Sequence, residues 1–345
     1  MIKIYYFSGT GNARQVAHWF SEVAIGRNVK AEVINIAKLP SNKIVREEKQ
    51  TLIGFCSPTH GFNLPPITLK FLFRFPRGNN SVFIMNTRAG MKMGKFYLCG
   101  ISGLAQLLAA LVLILKGYKV VGMRPVDLPS NWISVHPGLR NKVAASMFER
   151  CERNTRRFAK DILNGKRRYK ALYDVIQDLA VSPIAVLYYF IGRFVLAKSL
   201  VASHSCTMCR LCIQSCPVQA IKEIDRRPYW TFKCESCMKC MNTCPERAIQ
   251  VAHGLVIGSL YLISTLGMEF LYFSNIHRIP PGVVHDLFES RAFEFIFSAL
   301  LTLAFIYLSY RLFHFLMRYR PFERLVILTS LTIYKFWRRY NAKMI

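Results

Sequence analysis

Eight cysteines of this chain stand in two copies of one pattern. Cys206, Cys209, Cys212 and Cys216 are separated by two, two and three residues and followed by Pro217. Cys234, Cys237, Cys240 and Cys244 repeat that spacing 28 residues later, ahead of Pro245, and Ala220-Ile221 is answered by Ala248-Ile249. Two-residue gaps let one short loop offer three thiolates to three corners of a cuboidal cluster, after which the proline turns the chain away. Eight thiolates so spaced are the ligand set for two 4Fe–4S clusters, the fourth cysteine of each run serving the other run's cluster. Cluster I would take Cys206, Cys209, Cys212 and Cys244; cluster II would take Cys234, Cys237, Cys240 and Cys216. Zinc ribbons use paired CxxC units and need neither the third step nor the following proline, and a disulfide scaffold belongs to short secreted chains.

A second constellation lies near the N-terminus. The apolar run Ile2–Phe7 leads into Ser8, Gly9, Thr10, Gly11, Asn12 and Ala13, which open an amphipathic stretch. Glycines let backbone approach an anion, and hydroxyls with helix N-terminal amides bind it without a positive charge. Two further polar turns follow apolar runs: Ser57-Pro58-Thr59-His60-Gly61-Phe62 and Asn86-Thr87-Arg88-Ala89-Gly90.

The cysteine repeat resembles the two-cluster bacterial ferredoxins over residues 203–252, and the Ser8–Asn12 turn is similar to the FMN-phosphate loop of flavodoxins. Together with Leu128–Trp132, they make residues 1–252 resemble the flavodoxin–ferredoxin fusion proteins of anaerobes. The resemblance implies one FMN. Ser8, Gly9, Thr10, Gly11, Asn12 and Ala13 would form its phosphate loop; Pro58, Thr59, His60, Gly61 and Phe62 would flank the flavin; Thr87, Arg88, Ala89 and Gly90 would line its pyrimidine side. Ala13 stands where many members carry a hydroxyl, a loss of about 1 kcal/mol. Arg88 is expected either to compensate or to be a solvated surface charge. His60 is expected beside the flavin, because no second histidine lies at ligand spacing.

The elements that must position these groups alternate. Apolar runs at Ile2–Phe7, Ala31–Ile36, Thr51–Cys56, Ser81–Asn86 and Lys119–Val126 read as strands, with Ala13–Ala24, Ile101–Leu115 (buried) and Ser146–Leu163 as helices. That alternation predicts an α/β flavodoxin-like doubly wound parallel sheet of order 2-1-3-4-5, with ligands at the carboxyl ends of the strands. A small α+β ferredoxin domain and C-terminal transmembrane helices would complete the chain. The expected units are 1–164 (FMN domain), 165–202 (basic and apolar connector with an interfacial helix over 179–197), 203–252 (ferredoxin domain), 253–317 (membrane hairpin) and 318–345 (basic interfacial tail).

Gly254–Phe273 and Phe295–Met317 are each about as long as the 20 residues that cross a bilayer. Few basic residues lie between them and many follow, so both ends of the hairpin are expected inside, with the redox domains facing the cytoplasm at the inner membrane. Glu269 is an ionisable group within the first span; it is expected to snorkel or pair, with a proton-delivering role toward quinone as the sharper alternative.

Composition sets the surroundings. Cys56, Cys99 and Cys151 are expected as buried free thiols in a reducing cytoplasm, and no secretory leader is expected. The 345 residues carry 47 Lys+Arg against 19 Asp+Glu, a formal net charge of +28; residues 1–164 hold 24 basic and 8 acidic side chains, net +16. No nucleic-acid motif accompanies that charge. Anionic membrane lipid and acidic ferredoxin or flavodoxin-type carriers are the expected partners, with quinone or a membrane oxidoreductase beyond them. The expected function is membrane-anchored electron transfer between FMN and two 4Fe–4S clusters. The alternatives are a quinone or lipid-soluble-substrate reductase and a cluster-based redox sensor; no catalytic residue beyond Glu269 is indicated.

Overall fold

In the computed structural model, which describes residues 1–262, 265 and 291–340, the first module is built on β1 (Ile2–Tyr6), β2 (Ala31–Asn35), β3 (Leu52–Pro58), β4 (Ser81–Met93) and β6 (Lys119–Pro129). They are parallel and ordered β2-β1-β3-β4-β6, with Ile4 beside Val33 on one side and Gly54 on the other. This is the doubly wound, flavodoxin-like order 2-1-3-4-5. A short β5 (Phe96–Leu98) folds back antiparallel on β4, and β7 (Arg168–Tyr169) extends the far edge beside β6.

Parallel strands must be covered on both faces, so they are apolar throughout. One face is closed by α1 (Asn12–Ile25) and α4 (Asn141–Leu163), whose Val16, Phe20, Phe158 and Ile162 pack on Ile4, Phe83 and Met85. The other is closed by α2 (Pro66–Arg74) and α3 (Leu104–Leu115) over Phe7, Phe55 and Ile84.

Four sequence expectations change here. Asn86–Gly90 is not a loop: β6 stays extended to Pro129, so Asn86 through Gly90 find partners in Pro125 through Pro129 and β4 continues. The helix after β5 is only partly buried, because Leu111, Ile114 and Leu115 face outward. Cys99 is exposed, next to the β5 hairpin, while Cys56 and Cys151 are buried. The connector is not one helix. A 3-10 turn (Lys170–Asp174) leads into α5 (Val175–Ala180), then α6 (Ser182–Leu187), a π-helical turn (Tyr188–Gly192) and α7 (Arg193–Lys198). The arms Lys170–Ala180 and Ser182–Lys198 meet at 77°, where Pro183 in the first turn of α6 stops continuation from α5.

In the cysteine module, β8 (Leu200–Ala202) pairs antiparallel with β11 (Ile249–Val251), and β9 (Ile221–Ile224) with β10 (Arg227–Trp230). Short helices α8 (Leu211–Gln214) and α9 (Lys239–Thr243) carry the third cysteine of each run, and fully buried Trp230 centres the core.

Beyond it, helix His253–Leu262 holds the start of the expected first span; Leu266 to Phe273, Glu269 included, lie outside the described residues. Helix Arg291–Leu316 has 26 residues. Its outer part exposes Ile296, Leu300 and Leu308, whereas Tyr310, Phe313 and Met317 are buried against Val201, Ala252 and Val326. Among the described residues no single helix is long and apolar enough to cross a membrane. The tail packs against both modules. After helix Arg320–Leu328, Trp337 donates its indole N–H to Ile133 O (2.6 Å). Tyr340 donates its backbone N–H to Asn242 Oδ1 (3.1 Å), while its hydroxyl reaches Asn12 Oδ1. Both side chains are buried; Tyr340 bridges the two modules, and Trp337 also packs on the ring of His253 at 5.8 Å.

Candidate functional site

A cavity of about 330 Å³ opens at the carboxyl ends of β1, β3, β4 and β6. Of the residues the sequence singled out, Ser8, Gly9, Thr10, Asn12, Pro58, Thr59, Gly61, Phe62, Thr87, Arg88 and Ala89 line it. Gly11, Ala13, His60 and Gly90 do not. Ala13 is buried in the first turn of α1. Pro129, Ser130, Asn131 and Trp132, from the Leu128–Trp132 stretch that the sequence reading noted without a role at the site, form the wall after β6 together with His136, which it did not single out.

The polar groups of the first loop suit an anion. Ser8 Oγ accepts from Gly11 N–H at 3.0 Å, and Thr10 Oγ1 accepts from Asn131 Nδ2. With an acceptor position used, each hydroxyl keeps its proton to donate. Asn12 is committed elsewhere: Nδ2 donates to Pro129 O at 3.0 Å, and Oδ1 takes the Tyr340 hydroxyl.

Arg88 is not a solvated charge. Its side chain is 1% exposed, with Nε 2.6 Å from Asp127 Oδ1 and Nη1 2.7 Å from Asp174 Oδ2. Burial opposes the charge, and the two carboxylates outweigh it and hold the guanidinium protonated. Asp127 Oδ1 also accepts Gly100 N–H. The cavity therefore contains a cation that is already neutralised.

His60 sits beneath the wall, its ring 6.2 Å from that of Trp132 and nearly parallel. Burial lowers its pKa to about 4, and Nδ1 has no hydrogen-bond partner. Trp132 in turn packs on Tyr188 (5.4 Å) and donates its indole N–H to Ser236 O at 2.8 Å.

That bond joins the cavity to the cysteines. Gly9 lies so close to the second cysteine loop that a Cβ there would stand 2.7 Å from Cys237 Cβ. Glu235 Oε1 crosses the same interface to accept Ile67 N–H (2.8 Å) at the first turn of α2. The thiols sort into two groups. Cys206, Cys209, Cys212 and Cys244 line one cavity, with Pro245 on its wall. Cys216 lies within electrostatic reach of Cys234, Cys237 and Cys240. Burial, then neighbouring thiols, pushes Cys212 up to about 11 and, with nearby backbone opposing, Cys234 and Cys237 up to about 12. Cys234, Cys237 and Cys240 of the second group are buried and Cys216 is half-buried, whereas Cys209 of the first is exposed. Lys198 is also buried near the second group; its ammonium donates to Trp230 O at 2.5 Å and lies over the rings of Tyr229, Phe232 and Tyr310, and burial lowers its pKa to about 8. Among the described residues no three His, Cys, Asp or Glu side chains converge as a single-ion site.

No protein-family model matches the chain, and no curated protein matches it. Solved structures overlap with it weakly. A Streptococcus pneumoniae flavodoxin is 14% identical, covers 48% of this chain and 98% of its own, with a TM-score of 0.34. Flavodoxin 1 of Bacillus cereus is 18% identical over 46% of this chain and 97% of its own (TM-score 0.31). The rubredoxin oxygen:oxidoreductase of Desulfovibrio gigas is 15% identical over 47% of this chain and 36% of its own (TM-score 0.29). The strand order, rather than these overlaps, defines the first module as a flavodoxin-like α/β fold.

Proposed function

We propose that the chain is a membrane-held electron-transfer protein that binds FMN in the cavity above the sheet and a 4Fe–4S cluster in each cysteine group. The observation that carries this is the sorting of the thiols: Cys244 joins the first run and Cys216 the second, which is the crossed ligand set of a two-cluster ferredoxin. A cuboidal cluster takes one thiolate on each of its four irons, so four cysteines around one cavity would suit it. When bound, FMN exchanges two electrons singly and each cluster exchanges one.

The chain's own residues would do the rest. Ser8 and Thr10 donate hydroxyl protons to the phosphate, and the amides opening α1 add to them. Gly9 brings the cavity loop against Cys237, and Trp132 ties the cavity wall to Ser236, so the inner cysteine group is the neighbour of the flavin site. The outer group, with exposed Cys209, faces the exchange partner. Acidic carriers would be drawn to the net charge of +28. The C-terminal helices would hold this assembly at the inner membrane with its redox modules on the cytoplasmic side.

Anaerobic reconstitution tests the reading. The full chain should bind about one FMN and about eight irons. Saturation below four irons, or loading without flavin retention, would rule out the three-centre relay.

A further inference from the structure

We propose that the bent connector, residues 170–198, rests in one leaflet of the bilayer and holds the flavin-site module against lipid. This deepens the membrane-held reading above, on which it rests.

The two arms together have the length and composition of a membrane span, but a 77° bend keeps them from crossing as one rod. Their outer side is apolar. Tyr173 is 86% and Ile176 84% exposed, and Leu179, Ile184, Val186 and Phe190 are also exposed. From Leu172 to Phe190, Gln177 is the only exposed side chain that is neither apolar nor aromatic. Leaving such side chains in water forgoes the hydrophobic gain of burying them.

Charge complementarity selects the occupant. Lys166, Arg167, Arg168 and Lys170 are exposed just before the first arm, and basic side chains beside an apolar face match anionic headgroups over acyl chains. The apolar side extends past the connector: Ala171 and Tyr189 share a core with α3, whose outer end exposes Leu111, Ile114 and Leu115. The second arm packs, through α7, on helix Arg291–Leu316, so the face is continuous with the proposed anchor.

The inner side is bolted to the cavity. Asp174 holds Arg88 at 2.7 Å, and Asp178 Oδ1 accepts Gly103 N–H at 2.7 Å. The Tyr188 ring fills the space where Gly61, at φ 53°, has no side chain; a Cβ there would lie 2.1 Å from it. Lipid contact by the elbow would thus fix how the cavity is held over the bilayer.

The test uses full-chain protein in nanodiscs containing anionic lipid. Tryptophan is introduced as Ile176→Trp or Phe190→Trp, with Ile25→Trp, at an exposed site on α1 across the sheet, as the control. Quenching by lipids spin-labelled near the headgroup should exceed the control by about twofold or more, and should exceed that from lipids labelled at the acyl end. Control-level quenching with the chain still in the nanodisc overturns this inference alone, as does a dimer in light scattering that shields both positions. Stronger quenching from the acyl end would mean a crossing and overturns it too. Failure to enter nanodiscs overturns the anchored reading together with it, and iron and flavin content, read on the same samples, reports the redox reading separately.

Discussion

Arg88 on β4 and Asp174 in the connector form a 2.7 Å ion pair across 86 residues of sequence, with Asp127 completing the clamp at 2.6 Å. The guanidinium is 1% exposed while the two carboxylates are 29% and 26% exposed. Removing the cation would leave two half-hydrated anions facing each other, whereas removing one anion would leave the other still paired.

Arg88→Met should therefore cost about 1–3 kcal/mol of stability, read as a lower urea midpoint. Asp174→Asn alone should cost less, and the double substitution should be less than additive. Strict additivity would show that the three groups are not one unit.

At Gly9, a methyl group would meet the Cβ and carbonyl of Cys237. Gly9→Ala should weaken FMN binding and cost about 1–3 kcal/mol through overpacking, with iron content unchanged. Unaltered flavin affinity by fluorescence titration would mean the two loops are not in register contact.

Cys244→Ser should remove the same EPR signal as Cys209→Ser, although Cys244 lies in the other run. Cys216→Ser should instead match Cys237→Ser. Loss of signals by run rather than by crossed set would contradict the grouping around the Cys206–Cys244 cavity.

His60 is neutral when buried, with its pKa lowered from 6.5 to about 4. The unfolded chain takes up this proton first, so stability is full above about 6.5 and is lost as pH falls toward 4. The loss across that window is about 2–3 kcal/mol. His60→Phe should flatten the decline in thermal midpoint between neutral pH and pH about 5.5. An unchanged slope would place the titration elsewhere.

Much of this was legible in the chain. Five apolar runs became the five parallel strands because strands covered on both faces must be apolar at successive positions, and the cysteine spacing marked out the groups that the fold brings together. What stayed hidden depends on distant partners. Nothing near Arg88 announces Asp174, and nothing in Asn86–Gly90 shows that β6 continues to Pro129 and extends β4. Leu128–Trp132 stood out in the sequence, but nothing there showed that the Trp132 indole would reach Ser236. The helix expected over 179–197 falls mostly in the arm Ser182–Lys198, but composition reports apolarity and not direction, so the arm Lys170–Ala180 and the 77° bend between the two became visible only as geometry.

The charge of the chain predicts a rate. Reduction by an acidic ferredoxin or flavodoxin in detergent should slow markedly from low to physiological salt, where the Debye length falls to about 8 Å. A stopped-flow rate indifferent to salt would separate the positive surface from partner recognition.

Tyr340 meets Asn12 across 328 residues, and Trp337 meets Ile133 across 204. During synthesis both modules leave the ribosome well before the segment that latches them. Each can thus collapse, and on the proposed reading each could be supplied with its cofactor, while the seam between them is still open. The long loop closure that draws the latch shut would come last, which makes docking of the two modules a maturation checkpoint rather than an early folding event. A chain stopped before Trp337 should then yield modules that load normally yet come apart at the Gly9–Cys237 seam, visible as protease cleavage between them.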